Sequence, residues 1–250
     1  NTAFQGGEAL MYELFFNWKF IWVKVGSATM TTRKSIYQGQ QGFRTTLTTR
    51  GNKMADKLFV LRDTLVSVVT DKLVPLYYRK GAEEGKNRHT DETWYSYADG
   101  KANLQLRHVS TRGNEHTLQW PPMTECVYDM LSMFMRARSF DPSSFAKGQR
   151  IPFYMADGGV VKQQTLVYRG KENFHMESTS TTYRCMVFSF VESDKKTGRE
   201  KDVVTFYITD DDNHLPVRLD MHLSFGSAKA FLAAKTGVRH PMTSVVKNQQ

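Results

Sequence analysis

Only two cysteines and seven prolines occur in 250 residues, and no apolar run is long enough to cross a bilayer. So little cysteine excludes a disulfide-stapled scaffold and any zinc signature built on close thiol pairs. Cys126 and Cys185 are either one disulfide, worth about 4 kcal/mol in the chain-entropy view, or two thiols acting as small buried hydrophobes. Few prolines exclude a collagen-like chain. The longest apolar cluster, Leu14 to Val25, is broken by Asn17, Lys19 and Lys24. It falls short of the roughly 20 apolar residues of a membrane helix. The first ten residues lack the order of a basic region followed by an apolar one, so a leader is expected to have been removed or to lie before Asn1.

Catalytic signatures are missing as well. There is no Gly-x-Ser-x-Gly elbow, no phosphate-cradling Gly-rich loop with Lys-Ser/Thr, and no dinucleotide fingerprint. The seven histidines are dispersed without helical pairs. His89-Thr90-Asp91 and the run Asp210-Asp211-Asp212 are the best metal-binding fragments, and both read as solvated loops. The expectation is a protein without catalytic residues, cofactor or metal.

The net charge of +9 is spread out. Short basic sets at Lys86/Arg88, Arg136/Arg138 and Lys195/Lys196/Arg199/Lys201 do not form an arm or a known DNA- or RNA-binding motif. Nucleic acid is therefore not expected as a partner. Attraction to an anionic lipid surface is allowed, with solvated surface charge as the plain alternative.

What is abundant is alternation. From Leu215 to Phe225, residues Leu215, Val217, Leu219, Met221, Leu223 and Phe225 point one way, and Pro216, Arg218, Asp220, His222 and Ser224 the other. That pattern describes an antiparallel strand with one buried and one wet face. Similar runs raise the count to about ten strands, separated by turn signals such as Ala98-Asp99-Gly100 and Asp157-Gly158-Gly159. One stretch differs. From Thr124 to Arg138, Val127, Met130, Leu131, Phe134 and Ala137 follow helical spacing, with Thr124 as cap and Asp141-Pro142 as stop. Ala228 to Ala234 is alanine-rich but follows Gly226-Ser227 as the second arm of a hairpin, and is assigned to a strand. The expected fold is all-β: a single antiparallel, curved, barrel-like or half-open-barrel sheet with one central helix packed against it. One domain over 1–237 is expected, with 238–250 as a loosely attached tail.

Asp129, Ser132 and Arg136 share a side of that helix. The row either points into a cavity mouth and binds a head group, or it faces solvent or anchors the helix to a strand. Aromatics including Trp22, with twelve methionines and Phe134 of the helix, either line an apolar groove or fill a core. The candidate ligand-binding residues are therefore Trp22, Asp129, Ser132, Phe134 and Arg136.

Several stretches, in order, resemble the family known as domain of unknown function 3108, particularly its Bacteroides-type members. Gly7-Glu8-Ala9-Leu10-Met11-Tyr12 with Val25-Gly26-Ser27-Ala28 is similar to the family's first hairpin. Asp129-Met130-Leu131-Ser132 followed by Arg136 resembles its helix, and His214-Leu215-Pro216-Val217-Arg218-Leu219 with Phe225-Gly226-Ser227-Ala228 its closing hairpin. The resemblance implies an exported protein of the periplasm or cell envelope, with a removed signal peptide. It also implies a barrel-like sheet akin to the half-open barrels of periplasmic lipoprotein-localisation carriers, and no catalytic residue. Three functions fit: a non-enzymatic binder of a lipid or acyl chain, an envelope scaffold that binds another protein, or a glycan or lipid hydrolase using Asp129 or Asp63.

Overall fold

The computed structural model describes residues 1–18, 21–53, 61–84, 87–111, 113–193, 198–223 and 226–246. The first eight strands are β1 (Glu8–Trp18), β2 (Ile21–Tyr37), β3 (Gln40–Gly51), β4 (Leu61–Thr70), β5 (Pro75–Glu84), β6 (Asn87–Ala98), β7 (Lys101–Ser110) and β8 (Glu115–Met123). A two-residue β9 (Val127–Tyr128) leads into the helix α1 (Met130–Ala137). Then follow β10 (Arg150–Asp157), β11 (Val160–Met176), β12 (Thr181–Ser193), β13 (Glu200–Thr209), β14 (Pro216–Leu223), β15 (Gly226–Thr236) and the short β16 (Val245–Val246).

Sequential strands pair antiparallel from β1 to β8 and from β10 to β15, and β1 joins β15, so one sheet runs unbroken from β8 to β10. β9 adds to β10 in parallel, and β16 pairs with β12. The sheet is a nearly closed barrel. Its two ends share no hydrogen bonds among the described residues. Side chains close the seam: Tyr154, Ala156 and Val161 join one apolar cluster with Tyr95, Leu104 and Trp120. In such a meander alternate hairpins share an end. The adjoining strand ends of β1 and β2, β3 and β4, β5 and β6, β7 and β8, β10 and β11, β12 and β13, and β14 and β15 lie at one end, called here the mouth. The base is filled by the helix and by the N-terminal segment, where Ala3 and Phe4 pack with Phe43, Val69, Leu73 and Met135.

The all-β barrel-like fold with one helix is as the alternation and the helical stripe predict. The strands outnumber the expected ten because segments such as Glu115–Met123, exposed over most of their length, carry little apolar contrast. Ala228 to Ala234 lies in β15. The helix, however, starts at Asp129 and not at Thr124. Val127 pairs with Tyr154 in β9, and the Thr124 hydroxyl bonds Glu125. Asp129 caps instead, because its carboxylate accepts from the backbone of both Leu131 and Ser132.

The tail is also a correction. Residues 238–246 are fastened to the base: Asn213 Nδ2 donates to the His240 carbonyl at 2.8 Å, and Ser244 Oγ donates to Asp211 at 2.6 Å. Gly237, with φ of 64°, lets the chain turn across Gly7, whose carbonyl would lie 2.3 Å from an added Cβ. Cys126 is exposed and Cys185 buried, both as free thiols. No helix among the described residues is long and apolar enough to cross a membrane.

Candidate functional site

The inner face is the one on which α1 lies. Register places Glu8, Thr32, Thr45, Ser67, Tyr78 and Thr93 opposite one another on β1 to β6, in a polar row that crosses the strands. All six are buried. The helix spans the first four members. Arg138 gives Glu8 two hydrogen bonds of 2.6 and 2.9 Å, Thr45 Oγ1 reaches the Met135 sulfur at 2.9 Å, and Ser67 Oγ donates to Asp129 at 2.9 Å. The lengths agree. Nine residues of helix advance about 13.5 Å, and three strand spacings from β1 to β4 span about 14 Å.

Both ends of this strut are desolvated. Arg138 and Glu8 have side chains 1% exposed, and the guanidinium also donates to the carbonyls of Asn213 and His214. Asp129 is fully buried, and burial raises its carboxyl pKa from 3.8 to about 6 against the opposing pull of its hydrogen bonds from Ser132, Ser67 and Leu131. Next to it, the Tyr78 and Tyr95 hydroxyls are buried without a partner, and burial pushes both phenols up.

Towards the mouth the inner face changes character. One register row reads Leu14, Ala230, Leu219, Phe206, Phe188, and the next reads Phe16, Ala228, Met221, Val204, Phe190. Ten apolar side chains thus line a strip crossing β1, β15, β14, β13 and β12. Only Ala230 and Phe188 are buried; the other eight keep part of their surface in solvent. Four strand spacings make the strip about 19 Å long.

The five residues selected from sequence do not meet in one site. Asp129 and Ser132 form the capping box of α1 and have no exposed surface. Phe134 packs, half-buried, beside the cluster of Leu10, Met30 and Leu232. Arg136 is exposed beside Tyr128. Trp22 is 39% exposed under the Lys229 ammonium, which lies 4.2 Å from its ring. Ten residues of β2 separate it from Thr32, a distance of about 33 Å. Of the two acidic residues, Asp63 sits four residues nearer the mouth than Ser67, the partner of Asp129, on the same face of β4, and after burial the charge of either carboxylate pushes the Tyr78 phenol up. Among the described residues no three His, Cys, Asp or Glu side chains are grouped to hold a metal ion. Sequence reading missed the strip residues Leu14, Phe206 and Val204 as site candidates. Their alternation was visible, but their common row and their exposure depend on pairing.

No curated protein matches the sequence. In the solved structures, the chain is similar to a β-barrel-like protein of domain of unknown function DUF1849 from Brucella abortus, with a TM-score of 0.56 and 11% identity. The match covers 95% of this chain and 100% of that one, and it speaks for the barrel-like fold alone. At the level of sequence, the profile of a protein family of unknown function, DUF3108, matches residues 11–233. With nearly the whole barrel inside that match, from β1 to β15, the chain belongs to the DUF3108 family.

Proposed function

We propose that this protein is a non-enzymatic binder that holds an apolar or amphipathic ligand, a lipid or acyl chain, against the strip of its inner wall near the mouth. The observation that carries this reading is the incomplete burial of Leu14, Phe16, Val204, Phe206, Leu219 and Met221 on the concave face. Large apolar side chains on an inner face are normally covered by the fold itself. Each methylene that a ligand buries there contributes about 0.8 kcal/mol. We place this binder in the cell envelope as an exported protein; support for that location comes from the family resemblance, and fractionation of the native host tests it.

The binding test is a titration of delipidated protein with a fluorescent fatty acid. Saturable binding is expected, and Val204→Gln together with Met221→Gln should weaken it by about tenfold, roughly the loss of two buried methylenes, while the melting temperature stays nearly unchanged. Absence of saturable binding overturns the reading. Equal loss of binding and of stability reduces the strip to core packing.

A second reading, a protein partner added to the sheet, is favoured by β8. Most of its residues are exposed, and its outer edge pairs with nothing among the described residues. Pro121 and Pro122 have no backbone N–H to donate, which limits what the end of this strand can pair with.

A further inference from the structure

The opposite wall of the mouth holds a charged cleft of about 310 Å³ where the two ends of the sheet approach each other. On β5, β6 and β7, register sets Lys80 opposite Asp91 and Asp91 opposite His108; His89 and Ser110 face each other one step nearer the mouth. The β10–β11 hairpin closes the far side. Its tight Gly158-Gly159 turn, with φ of 58° and 76°, brings Asp157 over Lys80.

Most of the charge in this cleft is already committed. Asp91, with an 8% exposed side chain, bonds His108 Nδ1 at 2.6 Å and lies 3.7 Å from His89 Nε2. Arg88 bonds Glu83 at 2.9 Å. Lys80 and Asp157 are different. They face each other at 4.0 Å, beyond hydrogen-bond reach, and Asp157 Oδ1 is buried without a hydrogen-bond partner. The Lys80 side chain is only 22% exposed. The Lys80 ammonium and the buried Oδ1 of Asp157, whose side chain as a whole is 38% exposed, are thus both left with unused hydrogen-bonding capacity in the same cleft, and a third group seated between them would complete both.

We propose that this cleft binds a phosphate group that retains a proton. The phosphate accepts hydrogen bonds from Lys80, with the Ser110 hydroxyl and the His89 ring within the same cleft, and its own O–H donates to Asp157. The carboxylate makes the site selective. Sulfate is fully ionised at neutral pH and has no proton to offer, so against Asp157 it meets charge repulsion and an unsatisfied acceptor. The site uses none of the strip residues and does not depend on the apolar-ligand reading. A soluble phosphate and the head of a phosphomonoester lipid present the same chemistry.

Calorimetric titration of the full chain with inorganic phosphate and with sulfate at neutral pH tests the proposal. Saturable phosphate binding is expected, with sulfate weaker by about tenfold or more, the worth of one charged hydrogen bond. Lys80→Met should weaken phosphate binding by at least about tenfold. The near-isosteric Asp157→Asn should lose the preference for phosphate over sulfate, and it keeps the test available if Lys80→Met fails to fold. Equal binding of both anions by the unaltered protein, or unchanged selectivity in Asp157→Asn, overturns the proposal. Phosphatidylcholine vesicles with and without phosphatidic acid identify the source. Recruitment by phosphatidic acid that free phosphate reverses assigns a lipid head group, whereas binding of free phosphate without recruitment assigns a soluble ligand. Binding of neither overturns the site.

Discussion

Across β4 to β7 the inner side chains Leu65, Tyr78, Tyr95, Leu104 and Leu106 are at most 5% exposed, whereas across β13 to β15 and β1 the inner Val204, Phe206, Leu219, Met221 and Leu14 remain partly exposed. Apolar side chains of similar size occupy both halves, so composition is not the cause. The difference lies in the cover. The helix and the N-terminal segment fill the base, where Leu10, Val217 and Leu232 of β1, β14 and β15 are buried as well, whereas the second set lies nearer the mouth, beyond that filling. The lesson is that one continuous sheet divides its labour: the covered half at the base supplies cohesion, and the open half towards the mouth keeps apolar surface available.

The largest expected effect is at the anchor of the cover. Arg138→Met leaves the Glu8 carboxyl buried without its partner, and should cost about 3–5 kcal/mol in a urea melt. The Glu8→Leu/Arg138→Met double variant should recover part of that loss, because no orphan charge remains. Leu104→Ala, at a wholly buried position of the covered half, should cost about 2–5 kcal/mol.

A pH titration of stability sharpens the role of Asp129. Its folded carboxyl pKa, about 6, lies above the ordinary 3.8, so the folded state binds the proton more tightly than the unfolded one. The stability due to this group is therefore full below pH 4 and is lost as pH rises from about 4 to about 6, by as much as ~3 kcal/mol. Asp129→Asn keeps an acceptor for the cap and should flatten the stability curve in that window. A variant curve parallel to the original would show that the carboxyl does not titrate there. The smallest effect belongs to the open half: Met221→Ala should cost about 1 kcal/mol or less, since much of its transfer free energy is not realised in the ligand-free fold. A loss equal to that of Leu104→Ala would erase the distinction between the halves.

Much of the fold is legible in one dimension. Alternation over Leu215 to Leu223 and the stripe of Leu131, Phe134 and Ala137 mark a strand and a helix because each pattern is local. The cap was misplaced because Thr124 and Asp129 are both good caps, and only the pairing of Val127 with Tyr154 decides between them. The sites are a harder case. His89, Asp91 and His108 read as scattered residues until register puts Asp91 opposite His108, and Lys80 meets Asp157 only when the sheet curls its two ends together. In the same way, Trp22 and Asp129 carry attractive chemistry in sequence, yet they sit at opposite ends of the barrel.

The match between α1 and the four strands beneath it makes the helix a gauge block for the barrel. Inserting one residue between Asp129 and Arg138 would lengthen it by about 1.5 Å and rotate one end by about 100° relative to the other, so Ser67 and Glu8 could no longer both be met. Deleting one would do the reverse. Homologues that differ in length should therefore take up the difference in the mouth hairpins, where no such fixed span applies, and the aperture can diversify over evolution while the base retains its dimensions.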